Sequence, residues 1–514
     1  MQKTTGTLAV GHLLKTAAVR YHEKEALYCT STNRRYTFGQ LNARVNGLAN
    51  GLLGLGLQKG DTAAFLCNNR AEIVEIFLAL AKIGVLGIPL NYRLSGAEIA
   101  DLVQSCEAKA FLFAPNFCSV VQHIHTELPT VQHFVGIGEA LPDFALDYEH
   151  IVQASSPDEP PVDVREEDIQ YLNLTSGTTG VPKSYLLTQY SNVVAAMTMA
   201  KEFEVVEKDV VLIVFPMFGR VGFVWTLLSI YMGARQVIVD FKAEQVANVI
   251  QTEKVSITNL VPTMGSMLLS LPNLQHYDFR SLRGIVFAGS PLPHSTQEAV
   301  RQRICPAIYE YYGMQETGAI VSIGPEAKQR KPDSVGQMMP FSDVRIVDEE
   351  GRDVPIGEIG AIIVQSPAST ASYYKNEAKT HETFRDGWIS TGDLGSFDEE
   401  GFLFINGRTK DMIISGGQNV FSVEVESLLM SHPAVEDCTV IGLPDPTWGE
   451  LVTALIVKVP EATVTEQDIV EFCKQKIAGF KVPKKIIWRT ETLPRTPTGK
   501  VTKYLLVEHY AQSM

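Results

Sequence analysis

A run of small and hydroxyl residues, TSGTTGVPKS at 175–184, is well suited to hold a phosphate group. Its glycines let backbone N–H groups converge on an anion, while the hydroxyls and Lys183 add further donors. A Walker A loop would need glycine where Pro182 stands, and proline offers no N–H and fixes its own φ. The run therefore predicts a phosphate loop of another kind, with a polar turn between strand and helix as the structural alternative.

Two further segments place single charged residues in turn-like surroundings. Asp393, in STGDLG, is expected in a tight turn after an apolar strand. Its carboxylate suits both hydroxyls of a ribose, or it caps the turn. Lys500 ends LPRTPTGK, which the two prolines and the glycine make an irregular loop where a lysine is ordinarily only solvated.

The elements that must position these residues follow an alternating pattern. Short apolar runs such as DTAAFLCNN, VVLIVFP and LRGIVFAG alternate with helical patterns such as AEIVEIFLALAKIG, which predicts parallel sheets with crossover helices. After about residue 335, strands joined by Gly and Asp turns predict a compact β module. Past residue 411, mixed helix and strand patterns predict a small α+β unit.

Composition excludes several function classes. The chain has 514 residues, enough for two or more domains, and 44 Lys+Arg against 58 Asp+Glu give a net charge of −14, which disfavours nucleic-acid binding. The seven cysteines form no CxxC pair, which disfavours structural zinc and suits a reducing compartment.

One apolar segment, residues 210–234, could be mistaken for a membrane span. Pro216, Gly219 and Arg220 divide it into a strand-like run and an apolar helix shorter than the roughly 18 residues that a bilayer needs. The N-terminal sequence lacks an uninterrupted apolar region, so we expect a cytoplasmic protein without a transmembrane segment. Peripheral membrane contact and a homodimer stay open.

Five ordered motifs carry a resemblance to a known family. YLNLTSGTTGVPKS, YYGMQETG, GWISTGDLG, GRTKDMIISGGQNVFSVEVE and LPRTPTGK resemble the adenylate-forming enzymes, the acyl-CoA synthetases in particular, and the similarity runs from about residue 36 to Lys500. The resemblance implies an α/β fold: a large N-terminal domain, 1–409, of two doubly wound αβ subdomains plus a β module, and a small mobile α+β domain, 411–514, hinged at Lys410. It also implies that MgATP converts a carboxylic acid to an acyl-adenylate and pyrophosphate, after which the acyl group passes to coenzyme A.

The resemblance also implies roles for individual residues. Glu316 would bind magnesium, Tyr312 would stack on adenine beside Gly313, Asp393 and Arg408 would hold the ribose and phosphate, and Lys500 would bridge the carboxylate and the α phosphate. Thr178, Glu316 and Lys500 would be the catalytic residues. The adenine-pocket loop would be Gly289, Ser290 and Pro291, and the phosphate loop would use Thr175, Ser176, Gly177, Thr178, Thr179, Gly180 and Lys183.

The chain departs from the family pattern at three positions. Gln315 stands where the family usually has Thr or Ser to contact the α phosphate, and its amide can donate a similar hydrogen bond. Gly219 replaces a common histidine in the predicted acyl pocket, which comprises Phe218, Gly219 and Arg220, and Gln189 replaces a second histidine. Arg220 would face a polar substituent of the acid or be a surface cation.

The second step would use Gly416 and Gly417, which resemble the glycines that let the pantetheine arm pass close to the backbone. Lysines in AGFKVPKK at 478–485 would meet coenzyme A phosphates. Three functions stay in competition: an acyl-CoA synthetase for a fatty or aryl acid, an adenylating ligase with another acceptor such as a carrier protein, and a nucleotide-binding pseudoenzyme. Amino-acid activation is disfavoured, because the aspartate expected for the ammonium is absent around 215–218.

Overall fold

The first part of the chain builds a mostly parallel sheet flanked by helices. The computed structural model describes residues 6–175, 183–370, 372–495 and 501–511. The elements up to residue 188 are α1 Val10–Arg20, β1 Glu25–Cys29, β2 Arg34–Thr37, α2 Phe38–Gly54, β3 Thr62–Leu66, α3 Ala71–Ile83, β4 Leu86–Pro89, α4 Gly96–Ser105, β5 Ala110–Phe113, α5 Cys118–Ile124, β6 His133–Gly136, β7 Ala145–Asp147, α6 Tyr148–Ala154, β8 Ile169–Thr175 and β9 Lys183–Thr188. Seven of these strands form one sheet in the order β7-β6-β5-β3-β4-β8-β9, parallel except for the β8–β9 pair.

The next part builds a second sheet of the same kind. Its elements are α7 Gln189–Glu202, β10 Val210–Ile213, α8 Arg220–Met232, β11 Arg235–Ile238, α9 Ala243–Glu253, β12 Ile257–Leu260, α10 Pro262–Leu269, β13 Gly284–Phe287, α11 His294–Arg303, β14 Ile308–Met314, β15 Gly318–Ile323, α12 Pro325–Arg330 and β16 Gln337–Met338. The nine-stranded order is β16-β15-β14-β13-β12-β10-β11-β1-β2, so the chain's first two strands complete the second sheet. The alternating sequence pattern correctly predicted both α/β layers.

Two smaller sheets follow. The β module contains β17 Asp343–Val347, β18 Gly360–Gln365, α13 Glu377–Thr383, β19 Phe384–Arg385, β20 Trp388–Phe397 and β21 Leu403–Arg408. The last unit contains β22 Met412–Ser415, β23 Gln418–Phe421, α14 Ser422–Met430, β24 Val435–Asp445, β25 Gly449–Lys458, α15 Glu466–Lys474, β26 Lys485–Arg489 and α16 Lys503–Ala511. The architecture is therefore the expected one: a large α/β part, a β module and a small α+β part.

Aromatic packing joins the two large sheets. Every residue of the mostly apolar helix α3 is buried, including its three charged residues, and its Phe77 stacks on Phe223 of α8 with ring centroids 3.9 Å apart. Tyr171 of β8 lies edge-on to both rings. One continuous apolar cluster therefore spans both sheets, and buried aromatic pairs add to area burial by about 1 kcal/mol each. This packing fixes α8, whose first turn borders the site described below.

The last unit has apolar clusters of its own, built from residues between 413 and 506. The segment Thr409–Asp411, a single 3-10 turn, connects the last strand of the β module to the first strand of the last sheet. The predicted domain boundary with its hinge at Lys410 falls in this connection and stays a prediction. Within the described ranges, no helix is both long enough and apolar enough to cross a bilayer.

Candidate active site

Tyr312 of β14, predicted to stack on adenine, meets the predicted ribose residues Asp393 of β20 and Arg408 of β21. The Tyr312 hydroxyl donates to Asp393 Oδ2 at 2.6 Å, and Arg408 Nε donates to Asp393 Oδ1 at 3.0 Å. Burial, and then the charge of Asp393, raise the pKa of Tyr312 well above its ordinary value, so its hydroxyl stays protonated as a donor. The fold thus brings Tyr312 to Asp393 and Arg408, which face each other on neighbouring strands much further along the chain.

The prediction that Asp393 lies in a tight turn is wrong, because the residue is inside β20. The strand is irregular at this point: Gly392 has a φ of +71°, and the pairing register shifts between Leu394 and Gly395. A bulge bends a strand and re-aims its side chains, which explains how a strand residue delivers its carboxylate to Tyr312. The alternative that Asp393 only caps a turn is also wrong, since its side chain bonds to other elements.

Glu316 lies in the turn between β14 and β15 and is held from the next module. The Tyr373 hydroxyl donates to Glu316 Oε1 at 3.0 Å, and Thr370 N donates to the Glu316 carbonyl at 2.8 Å. Among the described residues, none donates a hydrogen bond to Glu316 Oε2 or forms an ion pair with the carboxylate. A positioned carboxylate oxygen is the kind of ligand that Mg²⁺ takes, with other oxygens and water completing its shell. No sequence motif points to Tyr373.

Gln315 is fixed by a second residue that the motifs did not reveal. The hydroxyl of Tyr185, a fully buried residue of β9, donates to Gln315 Oε1 at 3.0 Å. Gln189, another of the three departures from the family pattern, lies in the core. Its Oε1 accepts from Val10 N at 2.9 Å, and its Nε2 donates to the Ala81 carbonyl at 3.1 Å. Gln189 therefore joins α1 to α3.

The predicted acyl-pocket residues lie between β10 and the first turn of α8. Phe218 packs edge-on against Tyr92, with ring centroids 5.2 Å apart. Gly219 has φ −93° and ψ 153°, which any residue can adopt. Among the described residues, a Cβ built on Gly219 would have only the Pro216 carbonyl oxygen within 4 Å, at 3.4 Å, so the missing side chain leaves space.

Arg220 is only 2% exposed, so the alternative that it is a surface cation is wrong. Its Nη1 donates to the Gln315 carbonyl at 2.9 Å, and its Nη2 donates to the Ala368 carbonyl. The guanidinium therefore ties the start of α8 to the turn that carries Gln315 and to a segment of the β module.

The adenine-pocket segment follows β13. Because β13 and β14 are parallel neighbours, Gly289, Ser290 and Pro291 lie at the same sheet edge as Tyr312. Gly289 has a φ of +91°, a conformation that favours glycine. A Cβ on Gly313 would lie 1.9 Å from the Gly318 carbonyl oxygen, so only glycine fits where β14 and β15 meet.

Gly416 and Gly417 form the two-residue turn between β22 and β23, with φ of +59° and +77°. Gly416 N donates to the Trp448 carbonyl at 2.7 Å, and a Cβ on Gly416 would lie 3.0 Å from the Trp448 ring. Lys484 Nζ lies 4.4 Å from the centroid of this half-exposed indole. The sequence motif contains the two glycines, whereas no motif points to Trp448.

The remaining predicted cations divide into two groups. Lys410 is exposed in the connecting turn. In the segment 478–485, Lys481 forms an ion pair with Glu424 at 2.7 Å, whereas Lys484 is exposed beside Trp448. Of the lysines expected to meet coenzyme A, Lys481 is thus already paired.

The phosphate loop begins and ends on adjacent strands, because Thr175 of β8 pairs with Lys183 of β9. Five of the residues predicted in this loop, and the lysine predicted to be catalytic, lie outside the described residues: Ser176, Gly177, Thr178, Thr179, Gly180 and Lys500.

Comparisons with known proteins agree with this arrangement. The model of the AMP-binding enzyme family matches residues 14–374, and that of the AMP-binding enzyme C-terminal domain matches residues 424–500. The long-chain-fatty-acid–CoA ligase FadD13 of Mycobacterium tuberculosis is 31% identical over 98% of this chain and 99% of its own. The 2-succinylbenzoate–CoA ligase of Bacillus licheniformis is 34% identical over 92% of this chain and 95% of its own.

Solved structures give the same result. The anthranilate CoA ligase AuaEII, in complex with anthranoyl-AMP, superposes with a TM-score of 0.91 at 28% identity, covering 99% of this chain and 98% of that one. Together the two family models match most of the chain, and the relatives and the superposed structure each cover more than nine-tenths of it. The chain therefore belongs to the AMP-binding family of adenylate-forming enzymes, the family of the acyl-CoA ligases.

Proposed function

We propose that this protein is an acyl-CoA synthetase that uses MgATP to convert a carboxylic acid to its acyl-adenylate and then to its coenzyme A thioester. The acid would be a medium- or long-chain fatty acid or a related aryl acid. The observation that carries the proposal is the cluster of Tyr312, Asp393 and Arg408, with Glu316 in the turn that follows the strand of Tyr312. Tyr185 of β9, the strand that follows the TSGTTGVPKS loop, reaches the same turn at Gln315.

The nucleotide would lie across this edge. Asp393 already accepts one hydrogen bond on each oxygen, and an ionised carboxylate has about four acceptor sites, so two remain for the ribose hydroxyls. Adenine would lie against Tyr312 and the 289–291 segment, and Arg408 would add positive charge towards the phosphates. The loop 175–183 would hold the β and γ phosphates while the acid's carboxylate attacks the α phosphorus and pyrophosphate leaves.

Magnesium would be held by Glu316 together with oxygens of the triphosphate, and it would neutralise charge as pyrophosphate departs. The protein's own contribution is orientation: Tyr373 and Thr370 fix the Glu316 side chain and backbone respectively. Lys500 would bridge the carboxylate and the α phosphate in this first step.

The acid would enter beside Phe218 and Gly219. The space left at Gly219 supports an acyl or aryl group bulkier than a histidine-gated pocket would take, which is why both acid classes stay in the proposal. The two relatives named above act on acids of these two classes, a long-chain fatty acid and 2-succinylbenzoate.

The second step would use the last α+β unit. The turn at Gly416 and Gly417 would let the pantetheine arm pass close to the backbone, with the Trp448 indole and Lys484 beside it. A rotation about Lys410 would exchange the residues of the first step for those of the second. The reaction suits a cytoplasmic location, which we infer from seven cysteines that form no disulfide.

The proposal is tested by pyrophosphate release from MgATP with straight-chain, branched, aryl and dicarboxylic acids, each with and without coenzyme A. We expect acid-dependent release, with AMP and a new thioester only when coenzyme A is present. Release without thioester formation would instead favour the ligase with a carrier-protein acceptor. No release with any acid, together with tight ATP binding, would contradict the proposal and favour a nucleotide-binding pseudoenzyme.

A further inference from the structure

Gln315 is anchored at both its side chain and its backbone. The Tyr185 hydroxyl donates to its Oε1 at 3.0 Å, and Arg220 Nη1 donates to its carbonyl at 2.9 Å. Its Nε2 has no hydrogen-bond partner among the described residues. The residue that replaces the family's Thr or Ser is therefore held firmly while keeping one donor group available.

The structure places the acceptor end of the Gln315 amide, Oε1, on the Tyr185 hydroxyl. A carboxamide has an acceptor end and a donor end, and only the orientation with Oε1 on the tyrosine leaves the NH₂ group to meet an anion. Tyr185 is fully buried, and burial raises the pKa of its hydroxyl well above the ordinary value, so the hydroxyl remains protonated. The amide is thereby oriented to donate to a phosphate oxygen.

Arg220 fixes the backbone of the same turn. Its guanidinium is buried and bonds to carbonyls of two segments, those of Gln315 and Ala368. No Asp or Glu among the described residues forms an ion pair with it, and the undescribed positions contain neither residue type. Since breaking a buried charged contact is costly, these carbonyl contacts restrain the turn strongly.

We propose that Tyr185 and Arg220 are positioning residues that hold Gln315 so that its amide NH₂ donates to the α phosphate of the nucleotide. This inference rests on the proposed function and assigns two residues that act through Gln315. The glutamine is longer than Thr or Ser, and these two anchors remove the rotamer freedom that would otherwise make it a poor substitute.

The test is a double-mutant cycle of Tyr185→Phe and Gln315→Thr, read out first by binding. AMP and adenosine differ only in the α phosphate, so the ratio of their affinities isolates the contact with that group. We expect Tyr185→Phe to reduce the AMP preference by about tenfold, the value of one good hydrogen bond, and to leave adenosine affinity unchanged. In the Gln315→Thr background, Tyr185→Phe should change the preference less than about twofold, because threonine cannot reach the phenol.

Catalysis supplies the second readout. Tyr185→Phe should lower kcat for acid-dependent pyrophosphate release by about tenfold and leave thioester formation from supplied acyl-AMP unchanged. Tyr309→Phe is the matched control, since its hydroxyl donates to Glu204 at 3.0 Å outside the site, and we expect it to change neither readout. Arg220→Lys keeps the charge but loses the two-carbonyl contact, and it should reproduce the selective loss.

The two readouts separate this inference from the proposed function. An unchanged AMP preference in Tyr185→Phe, or equal losses in both Gln315 backgrounds, would overturn the positioning role. A wild-type protein that prefers AMP through this network yet releases no pyrophosphate with any acid would overturn the synthetase and leave the positioning role standing. Loss of both half-reactions in Arg220→Lys would reduce Arg220 to a structural residue.

Discussion

Replacing Asp393 by asparagine should weaken nucleotide binding through the ribose. In the wild type, each carboxylate oxygen accepts one internal hydrogen bond, from Tyr312 at 2.6 Å and from Arg408 at 3.0 Å, and has one acceptor site left. Asparagine has only one acceptor atom and no charge, so its NH₂ group takes the place of one carboxylate oxygen. The ribose hydroxyl on that side can no longer donate to a charged acceptor, and its charge-assisted hydrogen bond is lost.

The size of the effect follows from the charge of the lost acceptor. A hydrogen bond to a charged group is worth about 1.5–3 kcal/mol. This corresponds to an increase in the KM for ATP of between about tenfold and about a hundredfold. Asn is nearly isosteric with Asp, and we expect the thermal unfolding midpoint to change little.

The assay compares ATP with 2′,3′-dideoxy-ATP as substrates for acid-dependent pyrophosphate release. Wild type should prefer ATP strongly, whereas Asp393→Asn should show a reduced preference because the lost contact involves the missing hydroxyls. Asp386→Asn, an exposed turn residue with a φ of +51°, is the control and should behave as wild type. If Asp393→Asn loses the same factor with both nucleotides, Asp393 does not bind the ribose and the argument is refuted.

Three further predictions concern the acyl pocket, the thioester step and stability. Gly219→Leu should leave the free energy of unfolding unchanged within about 0.5 kcal/mol. It should nevertheless shorten the longest acyl chain that the enzyme accepts when acids of increasing length are compared. If the longest accepted chain is the same as in the wild type, the acid does not use this space. Gly416→Ala would place a Cβ 3.0 Å from the Trp448 ring, which is closer than ordinary van der Waals contact. The variant should slow thioester formation from supplied acyl-AMP and leave adenylate formation unchanged. Equal slowing of both steps would refute this prediction. Burial raises the pKa of Asp209, but hydrogen bonds led by that from Arg283 lower it below the ordinary value overall. Its stabilising effect is therefore present above the unfolded pKa of about 3.9 and lost as pH falls through the folded pKa. Asp209→Asn should lower the free energy of unfolding at pH 7 by about 3 kcal/mol and flatten its decline below about pH 5; denaturation curves with parallel pH slopes would contradict this.

Local patterns were enough to predict the layers of the fold. Alternating apolar strands and helical segments predicted the two α/β sheets, and Gly and Asp turns predicted the β module, because periodicity and turn chemistry act over a few neighbouring residues. The turn-like segment STGDLG likewise pointed to Asp393, and the family resemblance pointed to Glu316. The segment's pattern misplaced Asp393 in a turn, since a bulge inside a strand and a turn share the same glycine signal.

Contacts between distant segments needed the tertiary structure. Tyr185 and Tyr373 carry no motif, and each acts only because its strand or loop reaches the turn at residues 315–317 from another part of the chain. The sequence left Arg220 open between a pocket residue and a surface cation, because its environment is set by carbonyls of remote segments. The sequence by itself thus determined the family, the layers and the chemical types at the site. Only the tertiary structure decided which donors hold Gln315, Glu316 and Asp393, because long-range packing sets those distances.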